Sequence, residues 1–200
     1  MARLPLVPVS LVYGAAMRMR ALAYRRGLFA TRRLPRPAVA VGNLSVGGTG
    51  KTPLTAWIAA YYAARGSTPG ILLRGYGGDE ALVHRRLVPD AVVVADPDRV
   101  AGARRAVQLG AGVLVLDDAF QLLSVARDLN IAVVSAESTA GSTWTLPAGP
   151  WRERWGALDR ADVIVVTRKR AAGEVGEALA DRLGRRRAGV EVCVAWLALS

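Results

Sequence analysis

Two hundred residues of about half apolar composition suffice for one substantial core, and the length favours a single domain over a disordered or fibrous chain. A formal charge of +11, carried by 25 arginines and only two lysines against 16 acidic residues, points to phosphate-bearing partners where the arginines cluster. One histidine, His84, excludes a His-rich metal site, and the lone Cys193 excludes an internal disulfide; the chain reads as cytosolic, with a thiol buried in an apolar strand-like run.

The clustering occurs near the N-terminus. Residues Leu4 to Ala30 mix Leu, Val, Tyr, Met and Ala with Arg18, Arg20, Arg25 and Arg26, and Arg32, Arg33 and Arg36 follow. Pro5, Pro8, Ser10 and the arginines leave no apolar run long enough to span a bilayer, and no small-residue cleavage site follows an apolar stretch. Two readings stay open from composition: an amphipathic helix lying in the headgroup layer of an anionic membrane, or a helix packed on the domain with solvated arginines.

The stretch from Ala38 to Thr52, AVAVGNLSVGGTGKT, organises the rest. An apolar strand enters a loop holding Gly47, Gly48 and Gly50, which opens through Lys51 and Thr52 onto a helical pattern. Glycines let successive backbone N–H groups surround phosphate oxygens, the lysine adds a point charge, and the threonine hydroxyl can ligate Mg²⁺. The strict pattern asks for glycine six residues before the lysine; here that residue is Ser45. The expected nucleotide cradle therefore comprises Ser45, Val46, Gly47, Gly48, Thr49, Gly50, Lys51 and Thr52.

Leu54 to Ala64 carries Trp57, Ile58, Tyr61 and Tyr62 at helical spacing, and Gly70 to Leu73 reads as a second strand. Arg74 to Glu80, rich in glycine, reads as a loop at the ligand-binding edge of the sheet. Ala91 to Ala95 is a third strand, and Asp98 to Leu109 a helix with Asp98 near its start. Val113 to Leu116 then delivers Asp117 and Asp118 to the sheet's C-terminal edge, where a P-loop enzyme needs an Mg²⁺-associated acid. Adjacent side chains on a strand point opposite ways, so both can serve only if the strand has already ended. Leu129 to Ser135 and Ala161 to Val166 are further buried strands, with a defined loop from Thr143 to Trp155 between them. Thr167-Arg168-Lys169 reads as a solvated basic strand end, Ala171 to Arg187 as an amphipathic helix and Val190 to Leu197 as a last strand. The alternation predicts an α/β fold of P-loop NTPase type, with a mostly parallel sheet flanked by helices and an N-terminal amphipathic helix.

Several of these stretches together resemble a known family. VGNLSVGGTGKTPL (Val41 to Leu54), RGYGG (Arg74 to Gly78), GDE (Gly78 to Glu80), LDDAFQ (Leu116 to Gln121), the ARD ending at Asp128 and LPAGPWRE (Leu146 to Glu153) are similar, in order, to motifs of the tetraacyldisaccharide 4'-kinases, the lipid A 4'-kinases of Gram-negative bacteria. A small residue in place of the first glycine is usual there, which accounts for Ser45.

The resemblance implies a membrane-surface kinase that moves the γ-phosphoryl of ATP to the 4'-hydroxyl of tetraacyldisaccharide 1-phosphate, with ATP and Mg²⁺ as cofactors. It places Lys51 against the β/γ-phosphates, Thr52, Asp117 and Asp118 at the metal, and Asp79 as the acceptor of the sugar hydroxyl's proton. Three departures accompany it: Ala81 follows Glu80 where the family has proline and the segment before Gly78 is short; Ala119 and Leu122 stand for a glycine and a histidine; and the family's second lobe, with a histidine that supports the catalytic acid, has no counterpart before Ser200. The expected organisation is a membrane-interface segment over residues 1–36 and a nucleotide-binding lobe over 37–200, peripheral on the cytoplasmic face of the inner membrane. The expected partners are the lipid A disaccharide 1-phosphate and an anionic membrane surface. No nucleic acid is expected, because the basic residues lack interleaved aromatics for base stacking. A nucleotide-binding protein without kinase activity is the alternative.

Overall fold

The computed structural model describes residues 4–75, 78–139, 142–187 and 189–198. It divides into two compact units, one formed by Ala30–Gly42 and Lys51–Asn130, the other by Met1–Phe29, Asn43–Gly50 and Ile131–Ser200.

The first unit holds strands β1 (Ala38–Asn43), β2 (Pro69–Leu73), β3 (Val92–Ala95) and β4 (Val113–Leu116), in the order β3-β2-β4-β1. All its pairings are parallel, with Ala38 and Gly70 both opposite Leu114, and Gly70 opposite Val92. Strands β1, β2 and β4 are buried along their whole length, as expected of a parallel sheet covered by helices on both faces. Helices α2 (Lys51–Ala63), α3 (Gly78–Leu87) and α4 (Arg99–Gln108) belong here. The α4 face that meets the sheet is small, with Val100, Ala103 and Ala106 packed among Ala38, Ala40, Leu72, Val94, Leu114 and Leu116. Asp98 caps it, its carboxylate accepting from the N–H groups of Val100 and Ala101, as Asp does where a helix leaves its first donors free.

Helix α3 is a departure from the sequence reading, which made Arg74 to Glu80 a loop. Tyr76 and Gly77 of that stretch lie outside the described residues, but Gly78, Asp79 and Glu80 form the first turn of α3. Local glycine content favours a loop. The charges favour the helix, with Asp79 and Glu80 at its N-terminus and Arg85 and Arg86 in its last turn, each against the complementary end of the helix dipole.

The second unit contains β5 (Leu129–Ser135), β6 (Val163–Arg168) and β7 (Glu191–Trp196), paired in parallel in that order, with Ile131 opposite Val163 and Val163 opposite Glu191. Helices α1 (Val7–Arg25), the short α5 (Ala136–Thr139) and α6 (Gly173–Arg186) accompany them. Helix α6 buries Gly176, Leu179 and Leu183 and keeps its charges outward. Cys193 corrects its expected burial: it lies on β7, where only Val192 and Ala195 are half-buried and the rest, Cys193 included, are exposed. Apolar composition promised a core strand, but β7 has a strand neighbour on one side only among the described residues.

Helix α1 forms despite Pro8, which sits in the first turn, where a missing N–H costs nothing. Its one buried residue is Ser10, whose hydroxyl donates to the Thr145 carbonyl at 2.7 Å while the Thr145 hydroxyl donates to the Ser10 carbonyl at 2.9 Å. Val9, Leu11, Val12 and Met19 are exposed. No helix among the described residues is long and apolar enough to cross a membrane.

Candidate functional site

The loop after β1 is held from several directions within the second unit. Asn43, fully buried at the strand's end, donates through Nδ2 to the Ser45 carbonyl and the Thr49 hydroxyl, both at 2.7 Å. Ser45 is buried and bridges Trp151, while Val46 N–H donates to the Pro150 carbonyl and Arg152 N–H to the Leu44 carbonyl, each at 2.7 Å. Ser45 is thus engaged in extended pairing and needs none of glycine's freedom. That freedom is used at Gly47 (φ 122°) and Gly50 (φ 89°). Val46, Gly47 and Gly48 are exposed, whereas Thr49 and Gly50 are buried.

Two carbonyls of this loop are tied back to the end of β6. Thr167 donates its hydroxyl to the Thr49 carbonyl at 2.6 Å, and Lys169 donates Nζ to the Gly48 carbonyl at 2.8 Å. Thr167 to Lys169 reads from sequence as a solvated basic end; Lys169 is indeed exposed, whereas Thr167 is buried, and both side chains bind the loop. Val46 N–H is taken by the Pro150 carbonyl and Thr49 N–H by the Gly47 carbonyl, so the N–H groups the loop can turn toward an anion are those of Gly47, Gly48 and Gly50, the polarity a phosphate requires.

Lys169 is itself placed by Glu137 in α5. One oxygen of that carboxylate accepts from the N–H groups of Lys169, Arg170 and Ala171 at 2.7, 3.0 and 3.1 Å, and the other accepts from the Ser135 hydroxyl at 2.7 Å. Partial burial works against ionisation, but the Lys169 N–H, the Ser135 hydroxyl and the N–H groups of Ala171 and Arg170 outweigh it and bring the pKa from 4.5 to about 2. A depressed carboxyl pKa contributes stability that is complete above 4.5 and lost as the pH falls toward 2. The difference in urea midpoint between the wild type and Glu137→Gln is therefore expected to shrink across that window; a difference constant with pH would refute the assignment.

In the first unit, side chains from α2 and α3 meet Asp117. Lys51 and Thr52 open α2 and are half-buried, and Thr55, one turn on, donates its hydroxyl to Asp117 Oδ1 at 3.2 Å. His84 of α3 meets Asp117 Oδ2 through Nε2 at 3.0 Å. The strand has ended before the acids: β4 stops at Leu116, and Asp118 turns into the left-handed region at φ 50°, where its N–H donates to Asp117 Oδ1 at 2.9 Å. Asp117 is buried, Asp118 half-buried, and Asp79 exposed in the first turn of α3. Arg99, at the start of α4, is buried and donates to the Asp96 carbonyl at 2.7 Å. Burial and the charge of Arg74 lower its pKa, while Asp117, Asp118 and Asp96 oppose that shift, so a desolvated guanidinium lies within electrostatic reach of the acid pair.

The model of the family described as tetraacyldisaccharide-1-P 4'-kinase matches residues 2–199. The chain belongs to this family. A tetraacyldisaccharide 4'-kinase of Pelobacter propionicus is 42% identical over 187 residues, which cover 82% of this chain and 52% of that protein. The crystal structure of LpxK from Aquifex aeolicus in complex with ATP superposes with a TM-score of 0.76 at 33% identity, covering 82% of this chain and 58% of that one. The signal recognition particle receptor FtsY from Elizabethkingia anophelis, at a TM-score of 0.53 and 15% identity, shares the fold alone. The chain spans about half the length of the curated kinases it matches.

Among the described residues of this tetraacyldisaccharide kinase family member, no cluster of three or more His, Cys, Asp or Glu is placed to hold a metal ion. Mg²⁺ at a nucleotide site needs none, since one or two carboxylates and the substrate's phosphates complete its shell. Sequence reasoning missed Asn43, Glu137 and Lys169, which hold the glycine loop in the second unit, and Thr55, His84 and Arg99, which lie about Asp117 in the first. Thr55 could have been found, standing one helical turn beyond Lys51. His84, Glu137 and Lys169 are brought in by contacts distant in sequence and carry no local signal, whereas Asn43 and Arg99 bond to residues no more than six positions away.

Proposed function

We propose that this chain carries the phosphoryl-transfer chemistry of its family, moving the γ-phosphoryl of ATP to the 4'-hydroxyl of tetraacyldisaccharide 1-phosphate. The 4'-oxygen forms a bond to the γ-phosphorus, the bond to the β–γ bridging oxygen breaks, ADP leaves, and the hydroxyl proton passes to Asp79. Within the Ser45 to Gly50 loop, Gly47, Gly48 and Gly50 present N–H groups to the phosphates, and Lys51 sets its ammonium against the β/γ oxygens. Thr52, Asp117 and Asp118 would hold Mg²⁺, which when bound neutralises charge on the phosphates. The observation that carries the reading is Asp117, a buried acid just past β4, hydrogen-bonded to the helix that begins with Lys51, in a chain matched to the kinase family over residues 2–199.

The test is transfer of labelled γ-phosphate to tetraacyldisaccharide 1-phosphate in detergent, with a longer relative as positive control. ATP binding with the lipid left unmodified would select the second reading, a nucleotide-binding protein without kinase activity, which Ala119 and Leu122 favour.

Residues 1–36 form the membrane-interface segment in this reading and 37–200 the nucleotide-binding lobe, peripheral on the cytoplasmic face of the inner membrane, with no nucleic acid as partner. Helix α1 supports it by combining exposed Val9, Leu11, Val12 and Met19 with Arg18, Arg20 and Arg25, without an acidic residue. Each arginine near an anionic surface adds about 1 kcal/mol, so replacing Arg18 and Arg25 with Gln is expected to weaken partitioning onto anionic vesicles by roughly thirtyfold. Cosedimentation with anionic and neutral vesicles measures this, and equal binding of the double variant and the wild type would exclude α1 as the contact.

A further inference from the structure

Of the acids Asp79, Asp117 and Asp118, only Asp117 is buried, at 3% exposure. A desolvated carboxylate is costly unless its lone pairs are met by donors. Oδ1 has two, the Thr55 hydroxyl and the Asp118 N–H, while Oδ2 has His84 Nε2. His84 is wholly buried, and its Nδ1 finds no partner. A leucine would fill the same space without orphaning a ring nitrogen, so packing does not account for an imidazole there. The carboxylate beside it does.

The same bond bears on α3. His84 lies five residues after Asp79, about 140° around the helix and some 7 Å along it, whereas Glu80 shares the face of His84 one turn earlier. Fixing His84 to the end of β4 therefore fixes the rotation of the helix that carries Asp79.

We infer that His84 is a positioning residue, which orients Asp117 for the divalent cation and sets the rotation of α3. This rests on the nucleotide reading proposed above. Substitution separates the role from simple packing, because the amide nitrogen of Gln can overlie Nε2 while that of Asn falls short of it. The full chain, titrated with a fluorescent ATP analogue at increasing Mg²⁺, is the assay. His84→Leu and His84→Asn are expected to raise the Mg²⁺ concentration for half-maximal tightening about tenfold, the usual cost of losing a group that orients a metal ligand. His84→Gln is expected to stay close to the wild type, and nucleotide binding without Mg²⁺ to be the same in all. Hydrogen exchange of α3 amides is expected to accelerate in the Asn and Leu variants and not in the Gln variant. If His84→Leu does not fold, the Asn and Gln pair decides. Thr55→Val, which removes the other side-chain donor to Asp117, should then raise the Mg²⁺ requirement while leaving α3 exchange unchanged. Identical Mg²⁺ dependence in His84→Asn and His84→Gln would overturn the inference. A wild-type chain that binds no ATP at all would overturn the nucleotide reading and this inference with it.

Discussion

Lys51→Ala is expected to lower phosphoryl transfer by about 10²–10³-fold, the range found when one preorganised charge or donor is removed from a developing transition state. Lys51 is the first residue of α2, half-buried, and no acidic residue shares its turn. Its ammonium therefore sits at the positive end of the helix dipole with no acid of its own turn to offset it, an arrangement that destabilises the free protein and favours an anionic ligand. The variant should accordingly lose transfer while its thermal midpoint holds or rises, with a gain of about 0.3–1 kcal/mol. Lys51→Arg should not rescue, because a planar guanidinium fork replaces a compact point charge. Asp79→Asn is expected to cost less than Lys51→Ala, since phosphoryl transfer depends more on positioning and charge than on a base. Rate assays with unfolding scans on the same samples measure both halves. Inactivity accompanied by a large fall in midpoint would mean that Lys51 matters through the fold.

Gly42→Ala is expected to destabilise the chain by about 3 kcal/mol, the upper part of the range for an overpacked core. A Cβ at Gly42 would stand 2.6 Å from the Phe120 backbone nitrogen, 2.8 Å from the Phe120 Cβ and 3.2 Å from the Ala119 nitrogen. None of these atoms can step aside cheaply: Phe120 is fully buried, and Ala119 N–H donates to the Val41 carbonyl at 2.9 Å. Relief would require moving the turn that follows Asp117 and Asp118, so the variant should also need more Mg²⁺ to bind ATP. Urea unfolding measures the first effect, and a midpoint unchanged from the wild type would show that the β1 and β4 segments can separate without cost.

The parallel sheet was legible because its strands are short apolar runs ended by turn residues or acids, as Val113 to Leu116 is by Asp117. The start of α4 near Asp98 was legible because helix-start signals are local chemistry. What escaped is what only distant contacts decide. Glycines around Tyr76 hid the start of α3, whose helical state owes as much to end charges and to His84 on the sheet as to local preference. Cys193 looked buried because apolar composition cannot say which strand lies at a sheet's edge. Lys169 is exposed, as its sequence suggests, but nothing in its neighbourhood announces its bond to a carbonyl 121 residues away. Lys51, Thr52, Asp117 and Asp118 are singled out by motif spacing and Asp79 by the family resemblance, whereas the side chains that hold Asp117 and the loop in place are not singled out by either.

The ties between the glycine loop and the end of β6 bear on when the cradle takes shape during synthesis. Gly48 and Thr49 leave the ribosome early, but their carbonyls wait for Lys169 and Thr167, and Val46 waits for Pro150. Contacts of such long sequence separation form late, after much chain entropy has been surrendered. A nascent chain ending before Thr167 would contain every residue of the phosphate motif and still lack its shape. On the nucleotide reading proposed above, nucleotide would stabilise this protein only after most of it has been made, and earlier intermediates would have to survive without that help.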